Sequence, residues 1–253
     1  MKIRAVIFDV YKTLLEVGPP PAGAADLWES LWEDRLAAPA RLSLEAFTAE
    51  CDRIIGREHA AARAVGVDHP EIYWPAVAKE AMPELRRLND ADLDDFLHQH
   101  AQLQRVIRLM PGAGVVLQEI GRTKTVLGIA SNAQPYTLRE LDAALAEAGL
   151  TRKMFTPELC FWSYAAGFSK PDPHVFRWLC ARLAALGIPA TEALLVGDRL
   201  DNDIEPATPQ GFQTWRLTSN AADGNQAGDW EQLGRRLAAG IVAGRASPWS
   251  SPS

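Results

Sequence analysis

The run Ala5-Val6-Ile7-Phe8 is apolar without interruption, contains β-branched residues and ends on an acid, Asp9. A run that short and that continuous reads as a strand buried on both faces, as in a parallel sheet. Thr125-Val126-Leu127-Gly128-Ile129-Ala130 and Leu194-Leu195-Val196 repeat the pattern, as do, more weakly, Leu159-Cys160-Phe161 and Thr214-Trp215-Arg216-Leu217. Between them the period changes. Val175, Phe176, Leu179, Cys180, Leu183 and Leu186 recur on one helical face, and Leu138, Leu141, Leu145 and Leu150 mark another helix that ends near Gly149. Strands alternating with helices imply an α/β fold around a parallel sheet.

Residues 17–107 break the alternation. Gly18-Pro19-Pro20-Pro21 reads as a stiff linker, and Met110-Pro111-Gly112 closes the block. In between, only helical stripes occur: Leu27, Trp28, Leu31 and Trp32, then Leu93, Phe96, Leu97, His100, Leu103, Val106 and Ile107. The expected organisation is a core of residues 1–16 and 108–235, an inserted all-helical domain of residues 17–107, and a C-terminal tail of residues 236–253 that is polar and disordered at its end. Trp28, Trp32 and Trp74 read as core of the insert. His59, His69, His98, His100 and His174 have no ligand spacing and read as surface or packing residues, and Arg57 and Arg63 as exposed helix charges.

Composition limits the partners. With 47% hydrophobic residues, 253 residues can bury one core plus a smaller inserted one. The net charge of −6 gives no electrostatic case for nucleic acid or an anionic membrane. No apolar stretch approaches the ~20 residues of a membrane span, and the N-terminus has no signal-peptide pattern. Cys51, Cys160 and Cys180 lie far apart among apolar or helical neighbours. They are expected to be buried free thiols in a cytoplasmic protein.

Four segments carry the chemistry. Phe8-Asp9-Val10-Tyr11-Lys12-Thr13-Leu14 follows the first strand, and Ala130-Ser131-Asn132 ends a later one. Ser169-Lys170-Pro171-Asp172-Pro173 opens a helix, and Val196-Gly197-Asp198-Arg199-Leu200-Asp201-Asn202-Asp203 leaves another strand. Ligands of parallel α/β sheets bind at the carboxyl ends of strands, where all four would converge. Taken singly, each segment could be a strand-end turn, a helix N-cap or an acidic loop. Their joint occurrence, in this order, resembles the four motifs of the haloacid dehalogenase superfamily. The resemblance covers residues 1–16 and about 108–218, and the helical block lies where that family places its smaller cap, of the C1 type.

The resemblance implies a Rossmann-like core and a hydrolase working through a covalent intermediate on Asp9. A carboxylate can attack phosphorus or carbon in that way. In the family pattern Thr13, Ser131, the backbone N–H of Asn132 and Lys170 look like the donors that surround a phosphoryl group. Asp198 and Asp203 would join Asp9 in a carboxylate cluster. Such a cluster repels itself unless compensated. Lys170 supplies one positive charge, and hard oxygen ligands suit Mg²⁺ for the rest. The expected ligands are Asp9, the carbonyl of Tyr11, Asp198 and Asp203.

Tyr11 departs from the phosphatase pattern, in which a second Asp stands two residues after the nucleophile and protonates the leaving group. Asp-x-Tyr-x-Thr is instead typical of the family's L-2-haloacid dehalogenases, which displace halide without metal. The fourth segment leans the other way: it looks like the metal-binding version rather than the dehalogenases' Ser-Ser-Asn-x-x-Asp, and Phe176 stands where they carry a tyrosine. The first reading is a Mg²⁺-dependent phosphatase on a small phosphorylated metabolite, with Asp9, Tyr11, Thr13 and Lys170 catalytic and Ser131 and Asn132 binding substrate. The alternatives are a dehalogenase-like carbon–halogen hydrolase and a catalytically degenerate phosphometabolite-binding protein.

Overall fold

A computed structural model of the chain describes residues 2–219 and 226–241. Along the chain, β1 (Ala5–Phe8) and β2 (Leu15–Val17) precede the helices α1 (Ala24–Leu36), α2 (Leu44–Ala64), α3 (Trp74–Ala81) and α4 (Asp90–Gln104). There follow β3 (Ile107–Leu109), α5 (Ala113–Gly121), β4 (Val126–Ser131), α6 (Tyr136–Glu147), β5 (Cys160–Trp162), α7 (Ser163–Ala166) and α8 (Pro173–Ala185). The chain continues through β6 (Ala193–Gly197), α9 (Glu205–Ala207), β7 (Gln213–Leu217), β8 (Ala227–Gly228) and α10 (Trp230–Gly240).

Six strands form one parallel sheet in the order β5-β4-β1-β6-β7-β8. This is the α/β, Rossmann-like arrangement expected of the alternating pattern. The central position of β1 explains its unbroken apolar run. Val6 and Phe8 pack on one side with Leu117, Leu141, Leu145 and Trp230. Ala5 and Ile7 pack on the other with Val175, Phe176, Leu179 and Leu183. A polar residue at any of these four positions would be buried without a partner.

Helices α1 to α4 form a separate core over the sheet's carboxyl edge. Trp28, fully buried, stacks on Phe47 at 5.0 Å and meets Trp32 and Phe96 edge-on. Ser43 and Asn89 cap α2 and α4, each accepting a backbone N–H three residues on. Two details differ from the helical stripes read in the sequence. Leu27 is exposed, the buried face being Trp28, Leu31, Trp32 and Leu36. Val106 is also exposed and, with Ile107, lies beyond the end of α4.

Beside the linker expected at Gly18 to Pro21, the two crossings between cap and core meet. Leu15–Val17 and Ile107–Leu109 pair as an antiparallel ribbon, Leu15 with Leu109, Glu16 with Arg108 and Val17 with Ile107. Pairing satisfies the backbone of both crossings at once, which isolated linkers would leave to water. At the other end, α10 continues through Gly240, and Ile241 bridges to Ile3, so the tail does not begin at residue 236. The polar end expected to be disordered lies, from residue 242 on, outside the described residues. The three thiols are free, but only Cys51 is buried; Cys160 and Cys180 are half-buried. Among the described residues no helix is long and apolar enough to cross a membrane.

Gly197 ends β6 and lets the fourth segment fold back on itself. A Cβ there would lie 2.5 Å from the Cβ of Asp203. Gly197→Ala is therefore expected to destabilise the protein by about 1–3 kcal/mol through overpacking. Gly56, exposed within α2, has nothing within 4 Å of such a Cβ. Gly56→Ala should stabilise by about 0.5–1 kcal/mol. Urea unfolding of the two variants should show these opposite signs.

Candidate active site

The loop after β1 is tightly wound. The amides of Leu14 and Leu15 both reach the Val10 carbonyl at 2.8 Å, and Lys12 takes a left-handed conformation with φ 59°. The Trp230 indole donates to the Thr13 carbonyl at 3.1 Å and stacks on Phe8, fastening the loop to α10. Asp9 begins this loop, and its amide donates to the Val196 carbonyl of β6 at 2.9 Å. Ser131 ends β4 and Asp198 follows β6, the two strands flanking β1. The strand ends thus bring the segments together as the sequence suggested.

Lys170 is the centre of the cluster. Its ammonium, 2% exposed, donates to Asp9 Oδ1 at 2.7 Å and to Asp203 Oδ1 at 2.5 Å. The Asn132 side chain fixes the lysine's backbone from both sides, donating to its carbonyl at 2.9 Å and accepting its amide at 2.8 Å. Expected as a substrate contact through its backbone N–H, Asn132 also positions Lys170 through its side chain. Asp203 is held in turn by the Arg199 amide at 3.1 Å.

Oxygens of Asp9, Asp198 and Asp203 all lie within 4.8 Å of one another. Lys170 pairs with Asp9 and Asp203, and Lys12 also opposes the charge of Asp198, so two ammoniums against three carboxylates leave negative charge in excess. Burial pushes the Asp9 pKa up to about 7; Lys170 opposes the rise, while Asp203 and Asp198 add to it. Burial also raises Asp198, with Asp203 contributing. Burial disfavours the charge on Lys170, but the two carboxylates outweigh it and hold the ammonium protonated. The donors are hard oxygens and the missing charge is positive, which fits a small dication. The Thr13 hydroxyl is buried with no hydrogen-bond partner among the described residues, as a group reserved for a ligand would be. Ser131 is fully buried at the end of β4.

Tyr11 has a different environment from the carboxylates. Its hydroxyl donates to Glu140 Oε2 at 2.5 Å, accepts from Arg105 Nη2 at 2.9 Å and lies 2.7 Å from the Thr137 hydroxyl. Arg105 packs its guanidinium 4.7 Å over the Tyr11 ring and pairs with Glu140 at 3.0 Å. Burial drives the Tyr11 pKa well above its ordinary value, Glu140 adding to the rise and Arg105 opposing it. The phenol keeps its proton and spends it on Glu140. Glu140 and Arg105 were not singled out in the sequence. Glu140 left a signal, an acid within the buried helical face Thr137, Leu141, Ala144 and Leu145; Arg105, just past α4, left none.

The cap closes over this site through backbone and side-chain bonds. The Ser169 amide donates to the His69 carbonyl and the Glu71 amide to the Gly167 carbonyl, at 2.9 and 3.1 Å. Gln134, two residues after Asn132, accepts the Trp74 amide and donates to Glu71 and the Ile72 carbonyl. The Ser163 hydroxyl donates to Glu71 at 2.7 Å and accepts the Ala133 amide. Cap residues 69–74 thereby grip both loops that carry Asn132 and Lys170.

The cluster lies at the carboxyl end of β1, in the middle of the parallel sheet and beside the cap. Residues 3–209 match the family model of the haloacid dehalogenase-like hydrolases, and the chain belongs to that family. No curated protein matches it. Solved structures of the same fold include a 2-haloacid dehalogenase from Pseudomonas syringae pv. Tomato DC3000, with 23% identity over 94% of this chain and 99% of that one, at a TM-score of 0.56. A HAD-hydrolase of Bacillus subtilis bound to magnesium shares 21% over 94% and 99%, at 0.51. A HAD family enzyme of Bacteroides thetaiotaomicron in complex with magnesium and inorganic phosphate shares 15% over 88% and 98%, at 0.53.

The charge excess has a consequence for stability. An acid whose pKa rises from 3.8 to about 7 on folding holds its proton more tightly in the folded state. Its contribution to stability is therefore full below about pH 4 and lost as pH climbs through about 7. In chelator at about pH 8, Asp9→Asn should melt above the wild type by roughly 4–8 °C, on the order of 2 kcal/mol, and the gap should close towards about pH 5. A variant that melts lower at the alkaline end would contradict the raised pKa of Asp9.

Proposed function

We propose that the chain is a Mg²⁺-dependent phosphatase that acts on a small phosphorylated metabolite through an aspartyl-phosphate on Asp9. The observation that carries this reading is the cluster of three carboxylates, Asp9, Asp198 and Asp203, of which Lys170 pairs with two. A second carboxylate as near to Asp9 as Asp198 would repel an anionic substrate unless a cation stood between them. The solved structures of this fold include both dehalogenases and magnesium-bound enzymes, so the fold does not choose the substrate.

Asp9, Asp198 and Asp203 would hold Mg²⁺, together with the Tyr11 carbonyl. Bound there, the ion would offset the carboxylate charge and polarise a phosphoryl oxygen. The ionised Asp9 attacks phosphorus, the phosphorus–oxygen bond to the leaving group breaks, and an acyl phosphate forms on Asp9. Thr13, Ser131 and the Asn132 amide donate to the phosphoryl oxygens, and Lys170 holds Asp9 in line. Water then attacks phosphorus, releasing phosphate and regenerating the carboxylate. With Tyr11 committed to Glu140, the position two residues after Asp9 offers no carboxyl to protonate the leaving group. Aryl and acyl phosphates, which leave without a proton, are therefore the favoured substrates.

The same absence favours a second reading. Halide also leaves without a proton, so a dehalogenase would tolerate Tyr11 as it stands. A screen of aryl and acyl phosphates against 2-haloacids, each with Mg²⁺ and with chelator, separates the two. Phosphate release that stops in chelator is expected; halide release that persists in chelator would install the dehalogenase. Asp9→Asn should lower turnover by roughly 10³-fold or more, since the amide cannot attack. Tyr11→Phe should keep kcat on aryl phosphates within about tenfold and leave the pH profile unchanged. Loss of about 10²–10⁴-fold, with one limb of the profile gone, would make Tyr11 the acid instead.

A further inference from the structure

The four segments of the site carry the cations Lys12, Lys170 and Arg199. Two of these are engaged. Lys170 bonds Asp9 and Asp203, and Arg199 pairs with Asp201 at 2.6 Å. Arg105, the cation that donates to Tyr11, is likewise held by Glu140 at 3.0 Å. Lys12 differs. It is exposed, and its side chain makes no hydrogen bond or ion pair among the described residues.

Its backbone makes a lysine there less expected still. With φ 59°, Lys12 lies in the left-handed region that suits glycine and that long side chains rarely adopt. The Leu15 carbonyl fixes its amide in that turn at 2.6 Å. A loop that needed the turn alone would be served by glycine, so the ammonium is what remains to be explained.

The position of Lys12 says what its charge acts on. It stands between Tyr11, whose carbonyl is among the proposed metal ligands, and Thr13, whose buried hydroxyl has no partner among the described residues. Burial and Asp203 raise the Asp198 pKa, and Lys12 opposes that rise ahead of Lys170. The field of Lys12 therefore reaches the carboxylate cluster from the exposed side. An ammonium so placed has two effects of opposite sign: it repels a dication and attracts an oxyanion. A dication and Lys170 together would balance the three carboxylates, and the charge of Lys12 would then be in surplus, available to an anionic substrate.

We propose that Lys12 is a specificity-determining residue of this hydrolase, lowering the site's affinity for Mg²⁺ and raising its affinity for the phosphate group of the substrate. This role rests on the phosphatase reading above.

Calorimetric titration of the full chain with MgCl₂, and then with inorganic phosphate at saturating Mg²⁺, tests both signs. Lys12→Gln, which removes the charge but keeps a long polar side chain, should bind Mg²⁺ roughly three- to tenfold more tightly than the wild type and phosphate roughly three- to tenfold more weakly. Both differences should shrink in about 0.5 M NaCl, where exposed charges are screened. Lys12→Arg, which keeps the charge, should match the wild type with both ligands. Should the glutamine variant fail to fold, Lys12→Gly, which suits the turn, should give the same pair of signs. Any other pair, both affinities lowered or either one unchanged, would overturn the proposal; a merely structural lysine would lower both. If neither protein binds Mg²⁺, the phosphatase reading falls, and phosphate titrated in chelator decides on Lys12 alone. Weaker binding by Lys12→Gln would then keep Lys12 as an anion-recognising residue, and equal binding or none would overturn it.

Discussion

A buried ammonium held between carboxylates is the interaction on which this molecule is organised. Lys170 reaches Asp9 on one side and Asp203 on the other, and those two acids leave different strands of the sheet. Neither carboxylate would survive ionised at such burial without it, and the lysine would not stay protonated without them. The supporting bonds follow from that need. Asn132 clamps the lysine's backbone, the Arg199 amide holds Asp203, and Gly197 makes room for the latter's side chain. Lys170 pairs with only two of the three acids, and burial, with Asp203 and Asp198 adding, lifts the Asp9 pKa towards neutrality against its pull.

The cap is joined to this centre by residues that do no chemistry. Arg105, between α4 and the β2–β3 ribbon, binds Tyr11 and Glu140 together, so the crossing between cap and core and the loop of Asp9 share one half-buried ion pair. The segment around Glu71 grips the loops of Asn132 and Lys170 from the other side. The cap and the loops that carry Asp9, Asn132 and Lys170 are thereby tied together. Tyr11, which looks anomalous as a replacement for an acid, is explained by this mechanical duty.

The sheet and the centre were readable because their signals are local. A strand buried on both faces must be apolar throughout, as Ala5 to Phe8 is, and acids placed directly after such strands have few reasons to be there. What depends on pairing across the chain was not readable. The three-residue strands Leu15–Val17 and Ile107–Leu109 are too short for any period, and only their meeting makes them a ribbon. The extension of α10 to Gly240 rests on the amphipathic placement of Leu233 and Leu237 against the sheet, late in a stretch whose composition is otherwise polar and small. His100 reads as one more residue in a helical stripe, and only the fold packs its ring against Trp28, Phe47 and Trp74.

The central claim is that Asp9, Asp198 and Asp203 lack one cation. Calorimetric titration of the protein with MgCl₂ at neutral pH tests it without reference to any substrate. The account predicts saturable binding of one ion per chain in the millimolar range or tighter, lost in Asp198→Asn while Lys170 still pairs with Asp9 and Asp203. Absence of binding by the wild type, or binding undiminished in Asp198→Asn, would contradict it.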